Sequence, residues 1–104
     1  MNEEKIMQIQ FIGHNVEVTP ALKDYTANKF ERLERHTSKI TSIHVTFTVD
    51  KLQQIAEATI HVPKAEIHAS AKSENMYNAI VDLVEKLIRQ LDKHIDELQD
   101  HHGG

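Results

Sequence analysis

The chain has 104 residues, enough for one compact domain and too few for two, and it contains no cysteine, which excludes disulfide bonds and thiolate metal sites. No apolar run approaches the ~20 residues of a membrane-spanning helix, and the N-terminal residues lack the apolar segment of a secretion signal, so we expect a cytoplasmic protein. The formal net charge of −4 argues against a general nucleic-acid binder, so any RNA binding must depend on where the positive side chains lie.

The first half of the chain begins with a strand pattern and then changes to a helical period. Apolar residues occupy alternate positions over about residues 6–12, which predicts the first strand. Thr19 followed by Pro20 predicts a helix start, because threonine caps free backbone N–H groups and proline suits the first helical position. We expect this helix to end at about Arg35. Its predicted buried stripe consists of Leu22, Tyr25, Thr26, Phe30 and Leu33.

Three further strands are predicted between the two helices. Residues 42–49, 56–62 and 65–72 each alternate between apolar and polar side chains, and Pro63 with Lys64 forms a tight connection between the last two strands. The first strand reaches the second through a helix, so we expect these two to be parallel neighbours with a right-handed crossover. The second, third and fourth strands should follow one another as an antiparallel meander.

The second helix is the longest predicted element, and Ser73 or Asn75 is expected to cap it. Its apolar stripe consists of Met76, Ala79, Ile80, Leu83, Val84, Leu87, Leu91, Ile95 and Leu98. The element order is therefore βαβββα, and every element has one apolar side. We predict an α+β fold, a two-layer sandwich with two helices on one face of a four-stranded mixed sheet. It should form a single domain with a core over about residues 6–98 and frayed segments at 1–5 and 99–104.

Positive side chains are sorted to one side of the apolar stripe on each helix. They are Lys29, Arg32 and Arg35 on the first helix and Lys86, Arg89 and Lys93 on the second. Such spacing can match successive phosphates, and the two edges would bracket one groove or one ridge if the helices lie side by side. Lys29 projects close to the apolar stripe and must extend past it to reach solvent. The alternative is a solvated face with intrahelical ion pairs, Asp82 with Lys86 and Glu85 with Arg89; spacing alone leaves both interpretations open.

The chain has eight histidines, and three of them project from the polar face of the predicted sheet. The expected register sets His61 opposite Glu66 and places Thr59 between His44 and His68. His44 and His68 are then two strand spacings apart, roughly 9–10 Å, which is too far for them to share an ion. Candidate ligands for an adventitious metal are His61, Glu66, His68, His101 and His102. We expect no physiological metal, cofactor, small-molecule substrate or membrane partner. The sequence contains no phosphate-binding loop, nucleophile elbow or pair of carboxylates beside a cleft, so we do not expect an enzyme.

Two blocks of the sequence carry a family resemblance. They are FIGHNVEVTPALKDYTANKFERLERH and AEIHASAKSENMYNAIVDLVEKLIRQLDKH. Together they resemble, in order and spacing, the bacterial ribosome hibernation promoting factor family, also called sigma-54 modulation proteins or ribosome-associated inhibitors. The resemblance covers about residues 7–94 and is to the short form of the family, which lacks a C-terminal dimerisation domain. It implies a βαβββα fold similar in layout to double-stranded RNA-binding domains.

The resemblance also implies a function. Family members bind the small ribosomal subunit and its rRNA in stationary phase, in the channel where mRNA and the A- and P-site tRNAs would sit, and so block translation. Short forms are associated with inactive ribosome pairs, formed together with a small ribosome modulation factor. The matching rRNA-binding positions are Lys23, Lys29, Arg32, Lys86, Arg89, Lys93 and His94, to which the helical spacing adds Arg35. Where some relatives continue with lysines, this chain has Asp96, Glu97 and Asp100.

Three alternative functions stay open at this point. The chain would be a general double-stranded RNA-binding module if it bound free duplex RNA as well as ribosomes. It would be a protein-binding regulator of a sigma factor if its partner were a polymerase. It would be a metal-binding stress protein if the histidines held a metal.

Overall fold

The computed structural model describes residues 8–37 and 39–94 with their side chains, together with the backbone of 95–103 in the last helix. Its elements are β1 (Ile9–His14), α1 (Pro20–Glu34), β2 (Ser42–Asp50), β3 (Gln53–Val62), β4 (Ala65–Ser73) and α2 (Met76–Gly103). The predicted βαβββα order is therefore confirmed. The strand residues predicted before position 8, and the side chains of Ile95, Leu98, His101 and His102, lie outside the described residues. The predicted limits of the core also fall there, although the backbone of α2 continues to Gly103.

The four strands form one sheet in the order β1-β2-β3-β4. β1 pairs with β2 in parallel, and β2, β3 and β4 pair in an antiparallel meander, as predicted. Since α1 must return from the end of β1 to the start of β2, and α2 follows β4, both helices begin at the same end of the sheet. The two helices therefore run in the same direction.

One apolar core lies between the sheet and the helices. Alternate residues of β2, β3 and β4 are buried in it, as the period of two predicts. They are Ile43, Val45, Phe47, Ala56, Ala58, Ile60, Val62, Ile67, Ala69 and Ala71. On α2 the described part of the predicted stripe is buried, and its members are Met76, Ala79, Ile80, Leu83, Val84, Leu87 and Leu91. No helix in the part of the chain that the structure describes is long and apolar enough to cross a membrane.

Side chains cap the start of each helix. Thr19 Oγ1 accepts a hydrogen bond from Leu22 N at 3.2 Å and Pro20 occupies the first turn, which confirms the predicted start of α1. Of the two candidates for α2, Asn75 is the cap, because its Oδ1 accepts from Tyr77 N at 2.7 Å. Both caps satisfy backbone N–H groups that a helix start would otherwise leave without partners. The direction in which each helix leaves its preceding loop is thereby fixed.

Gly13 lies where β1 leaves the sheet and the following loop passes close to it. A Cβ atom at this position would lie 2.4 Å from Val16 O and 2.9 Å from Val18 Cγ2. We expect Gly13→Ala to lower the free energy of unfolding by about 1–3 kcal/mol, because the loop backbone would have to move. Urea unfolding measures the change. The exposed neighbour His14, changed to Ala, is the control and should stay within about 0.5 kcal/mol of the parent; equal stability of the two variants would contradict the prediction.

Candidate nucleic-acid interface

The positive edge of α2 lies beside β4, on the side of the helix away from α1. Lys86 Nζ donates to the carbonyl of Ser70 at 2.9 Å, and Gln90 Nε2 donates to the carbonyl of His68 at 2.8 Å. Arg89 and Lys93 follow Lys86 at i+3 and i+7, so they belong to the same side, and both are exposed. This edge therefore runs along the outer border of the helical layer.

The positive edge of α1 lies on the side that faces α2. Lys29 is half-buried, and its Nζ lies 5.3 Å from the centroid of the Tyr25 ring, which confirms that this side chain extends past apolar neighbours. Tyr25 in turn contacts Tyr77 of α2, with ring centroids 4.7 Å apart. Arg32, three residues after Lys29, continues on the same side and is exposed. Arg35, also exposed, is the C-terminal cap residue of the helix.

Lys23 lies on a different side of α1 from the other cations of this helix. Its Nζ is 5.9 Å from the centroid of the Phe11 ring in β1, so the side chain extends toward the far edge of the sheet. A cation over an aromatic face is held there by the negative potential of the ring. Lys23 and Lys86 thus mark opposite borders of the helical layer.

The groove between the helices does not carry the positive edge of α2. Two contacts across it come from Tyr77, near the start of α2, and from Asp92, whose Oδ1 lies 2.8 Å from His36 Nδ1 after the end of α1. Since the Lys86 edge lies on the other side of α2, the two positive edges flank α2 as a ridge. Of the two arrangements that the spacing left open, a groove or a ridge, these contacts favour the ridge.

The intrahelical ion pairs of the alternative interpretation are not formed within the described residues. Neither Asp82 with Lys86 nor Glu85 with Arg89 is paired. The ion pairs between described residues are His36 with Asp92 and His61 with Glu66, the latter at 3.3 Å, and neither uses a lysine or an arginine. Among the described residues, no carboxylate therefore neutralises a lysine or arginine of the helical layer.

His94 and two lysines that the sequence analysis did not assign to a site line a pocket of about 220 Å³. The lysines are Lys39, in the loop after α1, and Lys64, in the β3–β4 turn, and Leu91 and Val62 line the pocket with them. His94 is half-buried there rather than projecting freely like Arg89. Lys39 and Lys64 lie in loops, so no periodicity could have placed them beside α2.

The histidines on the open face of the sheet have the predicted register. His44 and His68 both lie opposite Thr59, and His61 lies opposite Glu66. His68 Nδ1 lies 2.9 Å from Thr59 Oγ1, and the rings of His44 and His61 meet at 5.4 Å between centroids, a diagonal contact that the sequence analysis missed. Among the residues whose side chains are described, no three His, Asp or Glu residues are grouped so as to hold a metal ion.

Comparison with known proteins identifies the class. Residues 9–99 match the model of the family described as sigma 54 modulation protein / S30EA ribosomal protein, so the chain belongs to this family. It is 47% identical over 95 residues to the ribosome hibernation promoting factor of Klebsiella oxytoca, with 91% of this chain and 100% of that protein covered. It is 53% identical over 88 residues to the same factor of Azotobacter vinelandii, covering 85% of this chain and 82% of the relative. The resemblance to short hibernation promoting factors is thereby confirmed.

Solved structures agree with the fold. A ribosomal subunit interface protein from Coxiella burnetii superposes with a TM-score of 0.83 at 36% identity, covering 86% of this chain and 99% of that one. The N-terminal domain of Thermus thermophilus Protein Y superposes with a TM-score of 0.79 at 27% identity, covering 85% and 99%. Both likenesses confirm the predicted arrangement of two helices on a four-stranded mixed sheet.

The positive edge of α2 should be separable from the stability of the fold. Lys86 is exposed and donates one hydrogen bond, so we expect Lys86→Gln to lower the free energy of unfolding by less than about 1 kcal/mol. Its neighbour Leu87 is fully buried, and Leu87→Ala should cost about 2–5 kcal/mol. Urea unfolding of both variants makes the comparison. A loss in Lys86→Gln as large as that in Leu87→Ala would mean that this edge is part of the core.

Proposed function

We propose that this protein is a ribosome hibernation factor. It binds the rRNA of the small ribosomal subunit in the decoding and mRNA channel, blocks mRNA and tRNA binding, and inhibits translation in stationary phase. It acts in the cytoplasm and promotes inactive ribosome dimers together with a small ribosome modulation factor. The observation that carries the proposal is a layer of lysines and arginines that form no ion pair with a described carboxylate, on a protein whose net charge is −4.

The relatives support the ribosome as the partner. The curated proteins are named ribosome hibernation promoting factors, and the Coxiella burnetii structure is that of a ribosomal subunit interface protein. The residues that we assign to rRNA are Lys23, Lys29, Arg32, Arg35, Lys86, Arg89, Lys93 and His94. All of them belong to the helical layer, so one face of the molecule would meet the RNA.

The proposed mechanism is occlusion without catalysis. Lysine and arginine side chains that neutralise phosphates release the counterions held by RNA, which makes the affinity fall steeply with salt. The ridge of α2, with positive edges on both sides, would lie against the RNA while the body of the domain fills the space that mRNA and tRNA need. A rigid two-layer domain suits this role because it excludes other ligands by its volume.

The open face of the sheet carries a different set of charges, which favours one orientation on the RNA. It presents Glu57 and Glu66, with Lys72 near one end, and its other positions are mostly threonine and histidine. Phosphates would be repelled by the carboxylates of this face and attracted to the helical layer. A net acidic protein with one basic layer should therefore bind a shaped RNA site more readily than arbitrary RNA.

Charge reversal on the α2 edge tests the proposed interface. We expect Arg89→Glu combined with Lys93→Glu to weaken co-sedimentation with small subunits roughly a hundredfold at about 0.1 M salt, because two attractions become repulsions. The slope of log affinity against log salt should fall by about 1 for each phosphate that the variant no longer neutralises.

The matched control for this experiment is Lys72→Glu, which reverses one charge on the open sheet face. It is compared with the single variant Arg89→Glu, and it should leave the affinity within about threefold of the parent. Urea unfolding verifies that each variant is folded. If Arg89→Glu and Lys72→Glu weaken binding equally, or if the double variant sediments like the parent, the helical layer does not bind the RNA.

Competition with free RNA distinguishes the ribosome from other partners. We expect a duplex RNA of mixed sequence, added at a tenfold excess over small subunits, to displace little of the bound protein, because the proposed site depends on shape as well as charge. Equal displacement by duplex and by unlabelled small subunits would indicate a general double-stranded RNA-binding module. Retention of a polymerase partner after RNase treatment, without ribosome binding, would indicate a protein-binding regulator.

A further inference from the structure

The two tyrosines of the chain lie together at the start of the groove between the helices. Tyr77 is in the first turn of α2 and Tyr25 is in the middle of α1, and their rings meet at 89° with centroids 4.7 Å apart. The three phenylalanines are placed differently: Phe30 and Phe47 are fully buried, and Phe11 is partly buried and stacks on Phe47 at 6.1 Å. Aromatic area accessible to a ligand is thus concentrated at the tyrosine pair.

Tyr77 is open to solvent although it has an aromatic partner. Its exposed fraction is 41%, whereas its neighbours Met76 and Ile80, which point toward the core, are buried. A perpendicular contact covers only part of each ring, so part of Tyr77 remains accessible beside Tyr25. The contact also restricts the Tyr77 ring, because its partner Tyr25 is half-buried in the middle of α1.

Positive charge borders the tyrosine pair. Lys29 Nζ lies 5.3 Å from the centroid of the Tyr25 ring, and Arg32 follows one turn later on the same side of α1. The start of α2 adds the positive end of a helix dipole. Of the free N–H groups at this end, that of Tyr77 donates to Asn75 Oδ1. A restrained, accessible aromatic ring beside cations is the arrangement with which proteins hold an unpaired base and its phosphate.

We propose that Tyr77, in perpendicular contact with Tyr25, stacks against one unpaired nucleobase of the ribosomal RNA, with Lys29 facing an adjoining phosphate. The inference rests on the proposed function, because it assumes that the helical layer meets rRNA. It adds an interaction of a different kind: the cations attract any phosphate chain, whereas the stack requires a base that is not paired. It would fix the register of α2 on the RNA.

A series of ring variants tests the stack by affinity for small subunits. Tyr77→Leu keeps an apolar side chain of moderate size but removes the ring, and it should lower the affinity roughly five- to 150-fold. Tyr77→Phe keeps the ring and should bind within about threefold of the parent. Because no charge changes, the slope of log affinity against log salt should be the same in all three proteins.

The control for general loss of apolar surface is Ile12→Thr. Ile12 is 51% exposed on the opposite, open face of the sheet, and threonine keeps the strand propensity of this position. Its affinity should equal that of the parent, and urea unfolding of every variant verifies the fold. An equal loss in Ile12→Thr, no loss in Tyr77→Leu, or a loss in Tyr77→Phe as large as that in Tyr77→Leu would overturn the inference.

Photo-crosslinking identifies what the ring touches. With p-benzoyl-phenylalanine in place of Tyr77, irradiation of the complex with small subunits should label rRNA, whereas a crosslink confined to a ribosomal protein would overturn the nucleobase assignment. The two proposals fail separately. If the parent protein does not sediment with small subunits at all, the proposed function is wrong; if it sediments but Tyr77→Leu does so equally well, only the stack is wrong.

Discussion

The burial of one stripe of α2 determines where the positive side chains of this helix can lie. Its members, from Met76 to Leu91, pack into the same core as the inner face of the sheet. Burial of each large aliphatic side chain contributes about 1.5–3 kcal/mol, whereas a surface ion contact contributes about 1 kcal/mol or less. The helix therefore cannot rotate to suit its charges, so Lys86 lies beside β4 and Tyr77 beside α1. The fold positions the candidate interface before any RNA is present.

The parts of the structure that follow from local periodicity could be predicted from the sequence. Strict alternation in β2, β3 and β4 set the buried face, and the two-residue turn of Pro63 and Lys64 set the register of the last hairpin, with His61 opposite Glu66. Thr19 and Pro20 marked the start of α1 because capping depends on residues next to one another in the chain. The half-buried position of Lys29 also followed from its place on the helical wheel. Each of these features depends on neighbours within one element or one hairpin.

Features that join distant elements could not be predicted in the same way. Whether the two positive edges flank a groove or a ridge depends on which side of α2 meets α1, and the wheel of a single helix does not contain that information. The contact of Tyr25 with Tyr77 and the pocket that Lys39 and Lys64 share with His94 have the same origin. Tyr25 was assigned to the buried stripe, but it is only half-buried, and its ring contacts Tyr77 of the second helix.

The hydrogen bond from Lys86 to Ser70 affects the sheet as well as the helix. β4 is the last strand of the sheet, so within the described residues one side of it has no neighbouring strand. A lysine held across that border, with Gln90 one turn further along, covers backbone carbonyls that another chain would use for pairing. The side chain that carries charge on the helical layer therefore also discourages two molecules from joining edge to edge into a continuous sheet, a route to aggregation that an exposed strand border would otherwise leave open.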